Sequence, residues 1–331
     1  MTEMLKVRGL VKHYDSRRGI LGKLTGNPGS LVQAVSGVDI TILQGKTLGL
    51  IGESGCGKST LGRAILRLHE PTSGAIEFDG VDVINLDAEA MKEMRQKMQI
   101  IFQDPYASLN PRKTVRQIIG QPLIIHGQAS GAEVDKRVVE MMERVGLKVN
   151  HMNRYPHQFS GGQRQRIGIA RALILNPKFV VCDEPVSALD VSIQAQIIEL
   201  LDDLKRELGL TYLFISHDIS VIGYVSERIA VMYLGKIVEE GDTKTILNSP
   251  LHPYTQALLS SVPQVENTGV TKDRIRLTGD LPSPVDPPKG CKFHTRCPHA
   301  SDICRAVEPV CETVEGSHSV ACHLVGKFNE K

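Results

Sequence analysis

The sequence has 331 residues, enough for one large α/β domain with an extension. Hydrophobic residues make up 41% and charged residues 23%, ordinary globular values that exclude wholesale disorder. A formal net charge of +2 leaves no electrostatic footprint for nucleic acid. No apolar run approaches the ~20 residues that span a bilayer, and residues 1–10 show no apolar h-region followed by a small-residue cleavage site. A soluble, cytoplasmic chain is expected, with any membrane role supplied by a partner.

Residues 3–12 and 37–51 read as strands rich in Val, Leu and Ile, and Asp15 to Ser30, rich in Gly, Arg and Lys, reads as a surface loop between them. Helical patterns follow at 59–68, 88–98, 132–145 and 162–175. The short apolar runs Phe179–Cys182 and Tyr212–Ile215 suit buried parallel strands. Strands alternating with helices predict a doubly wound α/β core. After about Ser249 the texture changes. Pro282, Pro284, Pro287 and Pro288 crowd a linker, and five of the seven cysteines follow it: Cys291, Cys297, Cys304, Cys311 and Cys322. In a cytoplasmic chain such a cluster points to a metal or cluster site rather than to disulfides.

Gly52-Glu53-Ser54-Gly55-Cys56-Gly57-Lys58-Ser59 fits G-x-x-x-x-G-K-[ST], follows the apolar stretch Thr47–Ile51 and opens a helix. The glycines let backbone N–H groups turn inward around phosphates, and the helix N-terminus adds a positive dipole end. Lys58 is placed to reach the β- and γ-phosphates and Ser59, followed by Thr60, to ligate Mg²⁺. Further on, Val180-Val181-Cys182-Asp183-Glu184 is an apolar strand ending in two carboxylates. Open α/β sheets bind ligands at the carboxyl ends of their strands. There Asp183 is expected to hold Mg²⁺ and Glu184 to orient or deprotonate the attacking water, with Cys182 read as core packing. These two motifs reach only as far as a nucleotide hydrolase.

Ser160-Gly161-Gly162-Gln163-Arg164-Gln165-Arg166 closely resembles the ABC ATPase signature, with Phe159 where the family usually has Leu. Its hydroxyl and glycine N–H groups at a helix start make a second anion-binding surface. The resemblance implies a P-loop (RecA-like) ABC ATPase core with an antiparallel β subdomain, a helical signature subdomain and a small cysteine-rich extension. The implied boundaries are an ATPase domain over 1–250 with the helical subdomain at about 105–165, a helix and proline-rich linker over 251–290, and a tail over 291–323. It implies a head-to-tail dimer with ATP between the glycine loop of one subunit and the signature of the other. It also implies roles by position. Gln103 contacts Mg²⁺, Asp190 in Ser187-Ala188-Leu189-Asp190 lies on the loop crossing the dimer interface, His217 contacts the γ-phosphate, and Tyr14 stacks on adenine or simply packs.

Two further stretches, Gln103-Asp104-Pro105-Tyr106-Ala107-Ser108-Leu109-Asn110-Pro111 and His252-Pro253-Tyr254-Thr255-Gln256-Ala257-Leu258-Leu259, look like those of dipeptide, oligopeptide and nickel importer ATPases. The resemblance, covering about residues 3–323, implies an energy-coupling subunit at the cytoplasmic face of the membrane. Its partners would be a second, homologous ATPase in a heterodimer, two transmembrane permease subunits and, indirectly, an external peptide-binding protein. Dipeptides, longer peptides and another small solute such as nickel remain open as cargo. A soluble ABC ATPase acting on DNA or ribosomes would carry long insertions, coiled coils or two cassettes, and none is present. A non-hydrolysing module would be expected to lack Lys58 or Glu184. Cys291-x5-Cys297-x6-Cys304-x17-Cys322 resembles the C-terminal motif of peptide-importer ATPases, which implies a structural [4Fe–4S] cluster on four thiolates. Zn²⁺ on cysteines with His294, His299, His318 or His323 and reduced free thiols are the alternatives, and Cys311 reads as packing or a spare thiol.

Overall fold

The computed structural model describes residues 2–15, 30–261, 275–277 and 279–325. Of the expected loop between Asp15 and Ser30, residues 16–29 lie outside the described residues, as do 262–274 of the expected linker. The chain forms two units, one drawn from Met1–Leu5, Thr41–Thr47 and Glu77–Ser216, the other from Lys6–Ile40, Leu48–Ile76 and His217–Lys331.

The first unit is built on three parallel strands, Met98–Ile101, Phe179–Asp183 and Thr211–Ile215. The second of these is central, with Phe179 opposite both Met98 and Thr211. All five of its residues are buried. A strand covered on both faces has no polar side to alternate with, so its sequence reads as a continuous apolar run until Asp183. Helix Ala88–Lys97 leads into Met98–Ile101 and opens at Asp87, whose carboxylate accepts from the N–H groups of Glu89 and Ala90. Helices Val115–Ile125, Ala132–Arg144 and Gly161–Leu173 pack together. The first of these was not expected, because Gly120 and Pro122 interrupt its apolar periodicity. Gly120 has a packing reason: a Cβ there would stand 2.6 Å from Cγ1 of Val134 on the neighbouring helix. Helix Val191–Leu208 follows the central strand and ends at Gly209, whose φ of 65° gives the left-handed turn that stops it.

In the second unit, strands run side by side in the order Glu312–Glu315, His318–Val320, Lys236–Asp242, Arg228–Tyr233 and Thr47–Ile51. The last two are parallel, with Leu48 opposite Arg228, and the other pairings are antiparallel. The expected strand region 37–51 is two strands, Leu31–Leu43 and Thr47–Ile51, parted at Gly45 with φ 71°. Leu31–Leu43, Glu3–Asp15 and Ser73–Phe78 belong to a separate sheet, in that order. Tyr233, Tyr254 and Phe293 form a buried aromatic triad with ring centroids 4.7, 5.2 and 5.4 Å apart. Beside it, Glu239 is wholly buried. Its carboxylate accepts from the N–H groups of Leu251 (2.6 Å) and His252 (3.1 Å) and from Nε2 of His318 (2.7 Å). Three donors around one buried charge join the hairpin of the tail to the start of helix Pro253–Ser260. Among the described residues no helix is long and apolar enough to cross a membrane.

Candidate functional site

The loop from Gly52 to Ser59 has the shape its glycines permit. Gly52 and Gly57 have φ of 155° and 110°. A Cβ on them would come within 2.2 Å of the Met232 carbonyl and 2.1 Å of the Ala34 carbonyl, so no other residue fits. Gly55 also has positive φ, 80°. Helix Lys58–Ile65 begins directly after Gly57, aiming its first N–H groups into the loop. Lys58 is 4% exposed and curls back so that Nζ donates to the carbonyls of Gly52 (2.7 Å) and Glu53 (2.9 Å). The buried ammonium thus spans two backbone carbonyls of the loop. Cys56 is buried, and burial raises its thiol pKa, so it serves as filling rather than as a nucleophile. Ser54 lies on the loop, and Ser59 and Thr60 sit in the first turn of the helix.

Glu53 was not singled out by the sequence, yet each of its polar groups has a partner. Its N–H donates to the Tyr254 hydroxyl (2.9 Å) and its carbonyl accepts from Lys58. Its carboxylate takes two bonds from Arg296, at 2.6 and 3.0 Å. The Arg296 side chain is 7% exposed, and the bond to Glu53 raises its pKa still further.

In the first unit, Asp183 closes the central strand with no exposed surface, and Glu184 follows in the left-handed region at φ 46°. Such backbone costs about 1–3 kcal/mol in a residue other than glycine and clusters at functional sites. It is held by the Glu184 N–H donating to the Ile215 carbonyl (3.0 Å) and the Ser187 hydroxyl donating to the Glu184 carbonyl (3.1 Å). Nε2 of Gln103 donates to Oε2 of Glu184 at 2.9 Å, so these two expected site residues are brought together. In the first unit Asp183 and the Gln103 carboxamide, and in the second the Ser59 hydroxyl, carry hard oxygen donors of the kind Mg²⁺ prefers.

Ser160 caps helix Gly161–Leu173 in a capping box: its hydroxyl accepts from the Gln163 N–H while the Gln163 side chain accepts from the Ser160 N–H. Gly161 and Gly162 allow close approach to the segment that begins helix Val191–Leu208. A Cβ on Gly162 would sit 2.5 Å from Cγ2 of Ile193, and one on Gly161 3.3 Å from Cδ2 of Leu189. Asp190 is the N-cap of Val191–Leu208, and its side chain makes no capping bond. The segment after Gln103 is fastened to the same signature helix. The Arg164 guanidinium covers the Tyr106 ring at 3.9 Å, and Arg171 donates to the Ser108 carbonyl at 2.5 Å.

His217 is exposed, just beyond strand Thr211–Ile215 and before helix Ile219–Val225. Tyr14 is half-buried at the end of strand Glu3–Asp15, its hydroxyl 2.5 Å from Nδ1 of His69 and Lys12 Nζ 4.8 Å above its ring.

The tail corrects the expectation of an iron–sulfur cluster. Among the described residues, no three His, Cys, Asp or Glu side chains are grouped so that they could hold a metal ion, which removes the [4Fe–4S] reading on Cys291, Cys297, Cys304 and Cys322 and the zinc alternative with it. The cysteines are not disulfide-bonded. Cys304 is buried with Sγ 3.4 Å from the Ser301 hydroxyl. Burial, reinforced by the other three thiols, pushes Cys291 up to about 11, and burial likewise raises Cys297 and Cys322. Three nearby histidines are engaged elsewhere: His294 Nδ1 with the Cys291 carbonyl (2.8 Å), His318 with Glu239, and His323 Nε2 with the Val307 carbonyl (2.9 Å).

Residues 35–187 match the family described as ABC transporter, and residues 238–304 match the oligopeptide/dipeptide transporter C-terminal region. The oligopeptide transport ATP-binding protein AppF of Bacillus subtilis (strain 168) is 53% identical over 323 residues, spanning 97% of each chain. The dipeptide transport ATP-binding protein DppF of Escherichia coli (strain K12) is 48% identical over 322 residues, spanning 97% of this chain and 94% of that one. Among solved structures, the ATP-binding cassette MJ0796, a dimer in a post-hydrolysis state bound to ADP and Pi, superposes with a TM-score of 0.63. It is 32% identical and covers 72% of this chain and 99% of its own. A cradle that only glycine can form, a signature helix with its capping box and relatives alike along nearly their whole length place this chain in the ABC transporter family of ATP-binding proteins, in the branch with the oligopeptide/dipeptide transporter C-terminal region.

Proposed function

We propose that the chain binds Mg·ATP and hydrolyses it as the energy-coupling subunit of an importer of dipeptides or oligopeptides. The observation that carries the ATPase reading is Lys58, buried across the carbonyls of a loop whose two key glycines admit no side chain. When bound, Mg²⁺ supplies charge neutralisation at the β- and γ-phosphate oxygens. The chain's own residues do the rest. The N–H groups of Gly52 to Thr60 and the Lys58 ammonium would bind the phosphates, and Ser59, Gln103 and Asp183 would hold the ion. Glu184, oriented by Gln103, takes a proton from the attacking water, and His217 contacts the γ-phosphate. Tyr14 stacks on the adenine. Ser160, Gly161, Gly162 and Gln163 address the nucleotide of a second, homologous ATPase, with Asp190 on the loop facing it.

The proposed domains are an ATPase domain over 1–250, with an antiparallel β subdomain and a helical signature subdomain at about 105–165, then a helix and linker over 251–290 and a cysteine-rich tail over 291–323. The peptide reading is supported by the match over residues 238–304 and by the names of the relatives. The proposed assembly is a heterodimer of ATPases beneath two permease subunits at the cytoplasmic face of the membrane, served by an external binding protein. Uptake of labelled dipeptides and pentapeptides by cells expressing the chain, or its Glu184→Gln variant in its place, tests both halves. ATP-dependent peptide uptake that disappears in the variant is expected. Equal uptake with the variant overturns the ATPase role, and loss of some other solute with peptides unaffected overturns the cargo.

A further inference from the structure

The geometry points to Arg296 as a positioning residue for the nucleotide site: acting through Glu53, it neutralises and holds the phosphate loop, so that the C-terminal region sets the affinity for ATP. The inference rests on the reading of Gly52–Ser59 as a phosphate-binding loop. A free carboxylate at the second position of such a loop would repel a polyphosphate. Here that carboxylate is covered by a bidentate guanidinium, at 2.6 and 3.0 Å, from a residue 243 positions away. Arg296 is itself packed down, 7% exposed against 28% for Glu53, so the guanidinium is held in one place while the carboxylate keeps some contact with water. Tyr254, also from the C-terminal region, holds the Glu53 N–H.

The division of labour follows from what Lys58 must do. Lys58 braces the loop on the carbonyls of Gly52 and Glu53. A nucleotide takes that ammonium for its phosphates, and the carbonyls lose their donor. Arg296 and Tyr254 do not bear on phosphate, so they keep Glu53 in place after Lys58 has changed partners. The loop's shape therefore survives binding because its second support comes from the tail.

The experiment is a double-mutant cycle in the full-length chain. It reads Mg·ATP affinity by equilibrium titration, KM against kcat by phosphate release, and the melting temperature without nucleotide. Arg296→Ala is expected to weaken ATP binding about tenfold, or ~1.4 kcal/mol, through KM more than kcat. In a Glu53→Gln background the same substitution is expected to change affinity less than about twofold, because the charge it neutralised is gone. Equal weakening in both backgrounds, or none in either, overturns the proposal. Should Arg296→Ala not fold, Glu53→Asp keeps the charge and shortens its reach to Arg296. A severalfold loss of affinity is then expected, and wild-type affinity refutes the inference. Lys58→Ala separates the two levels. If it binds ATP like the parent, the phosphate-loop reading has failed. If it loses binding while the Arg296 cycle shows no coupling, only the tail's role has.

Discussion

Removing the carboxylate of Glu239 should loosen the C-terminal region from the rest of its unit. The side chain is wholly buried, with Oε1 accepting from the Leu251 N–H and from His318 Nε2 and Oε2 accepting from the His252 N–H. Glu239→Gln can set its carbonyl where Oε1 was and keep two of the three bonds, but its amide then faces the His252 N–H, donor against donor. One lost bond to a charged acceptor costs about 2 kcal/mol. Glu239→Ala strands all three donors in a dry site and leaves a cavity, for about 4 kcal/mol, a large share of the ~5–15 kcal/mol that holds a domain folded. Urea unfolding reads the global loss. Amide hydrogen exchange across 251–260 and 318–320 reads where it falls. The expected order is parent, then Gln, then Ala, with protection lost first at the start of helix Pro253–Ser260. Because Tyr254 on that helix supports the Glu53 N–H, ATP affinity should fall alongside. A loss below about 1 kcal/mol for Ala, or uniform loosening of the whole chain, would refute the reasoning.

Glu184→Gln should bind Mg·ATP yet release phosphate on the order of 10²–10⁴-fold more slowly, the usual contribution of a positioned general base. Near-normal turnover would remove Glu184 from that role. Gly57→Ala must place a Cβ 2.1 Å from the Ala34 carbonyl at a φ of 110°. Nucleotide affinity should drop by about tenfold or more, measured by titration on protein whose circular dichroism stays native. Burial pushes His252 down to about 3, and its Nδ1 accepts from the Tyr254 N–H, which requires the neutral ring. The unfolded chain takes up that proton near pH 6.5 and the folded one does not until about 3, so stability falls as pH drops through this window, by up to about 1.4 kcal/mol per pH unit. Urea midpoints from pH 4.5 to 8 should show that slope, and His252→Asn, which keeps a capping acceptor, should flatten it relative to the parent.

What could be read from the sequence is what the chain makes locally. Gly52, Gly55, Gly57 and Lys58 lie within a few residues of each other, so their spacing fixes the backbone they form. The same holds for the Ser160–Gln163 capping box and for the apolar run that ends at Asp183. Alternating strands and helices were enough for an α/β core, and the P-loop ATPase fold followed from the resemblance carried by Ser160–Arg166. Helix Val115–Ile125 was hidden because Gly120 answers to Val134 on another helix, and a constraint from outside an element looks like a break within it. Glu53 and Arg296 were invisible for the same reason at a larger scale. A cysteine spacing, finally, shows which thiols are available but not whether the fold groups them around one point, and among the described residues it does not.

The fastening of the segment after Gln103 to the signature helix has a mechanical meaning. Tyr106 is 62% exposed, and the far side of its ring is roofed by Arg164, one helical turn, about 5.4 Å, from the cap at Ser160. A body leaning on Tyr106 presses on the stiff end of a hydrogen-bonded rod, and Arg171 prevents the backbone at Ser108 from sliding out of the way. If a load on Tyr106 shifts Ser160, thermodynamic linkage requires that a ligand on Ser160 shift Tyr106 by the same coupling free energy, and a single aromatic ring would then both receive force and report occupancy.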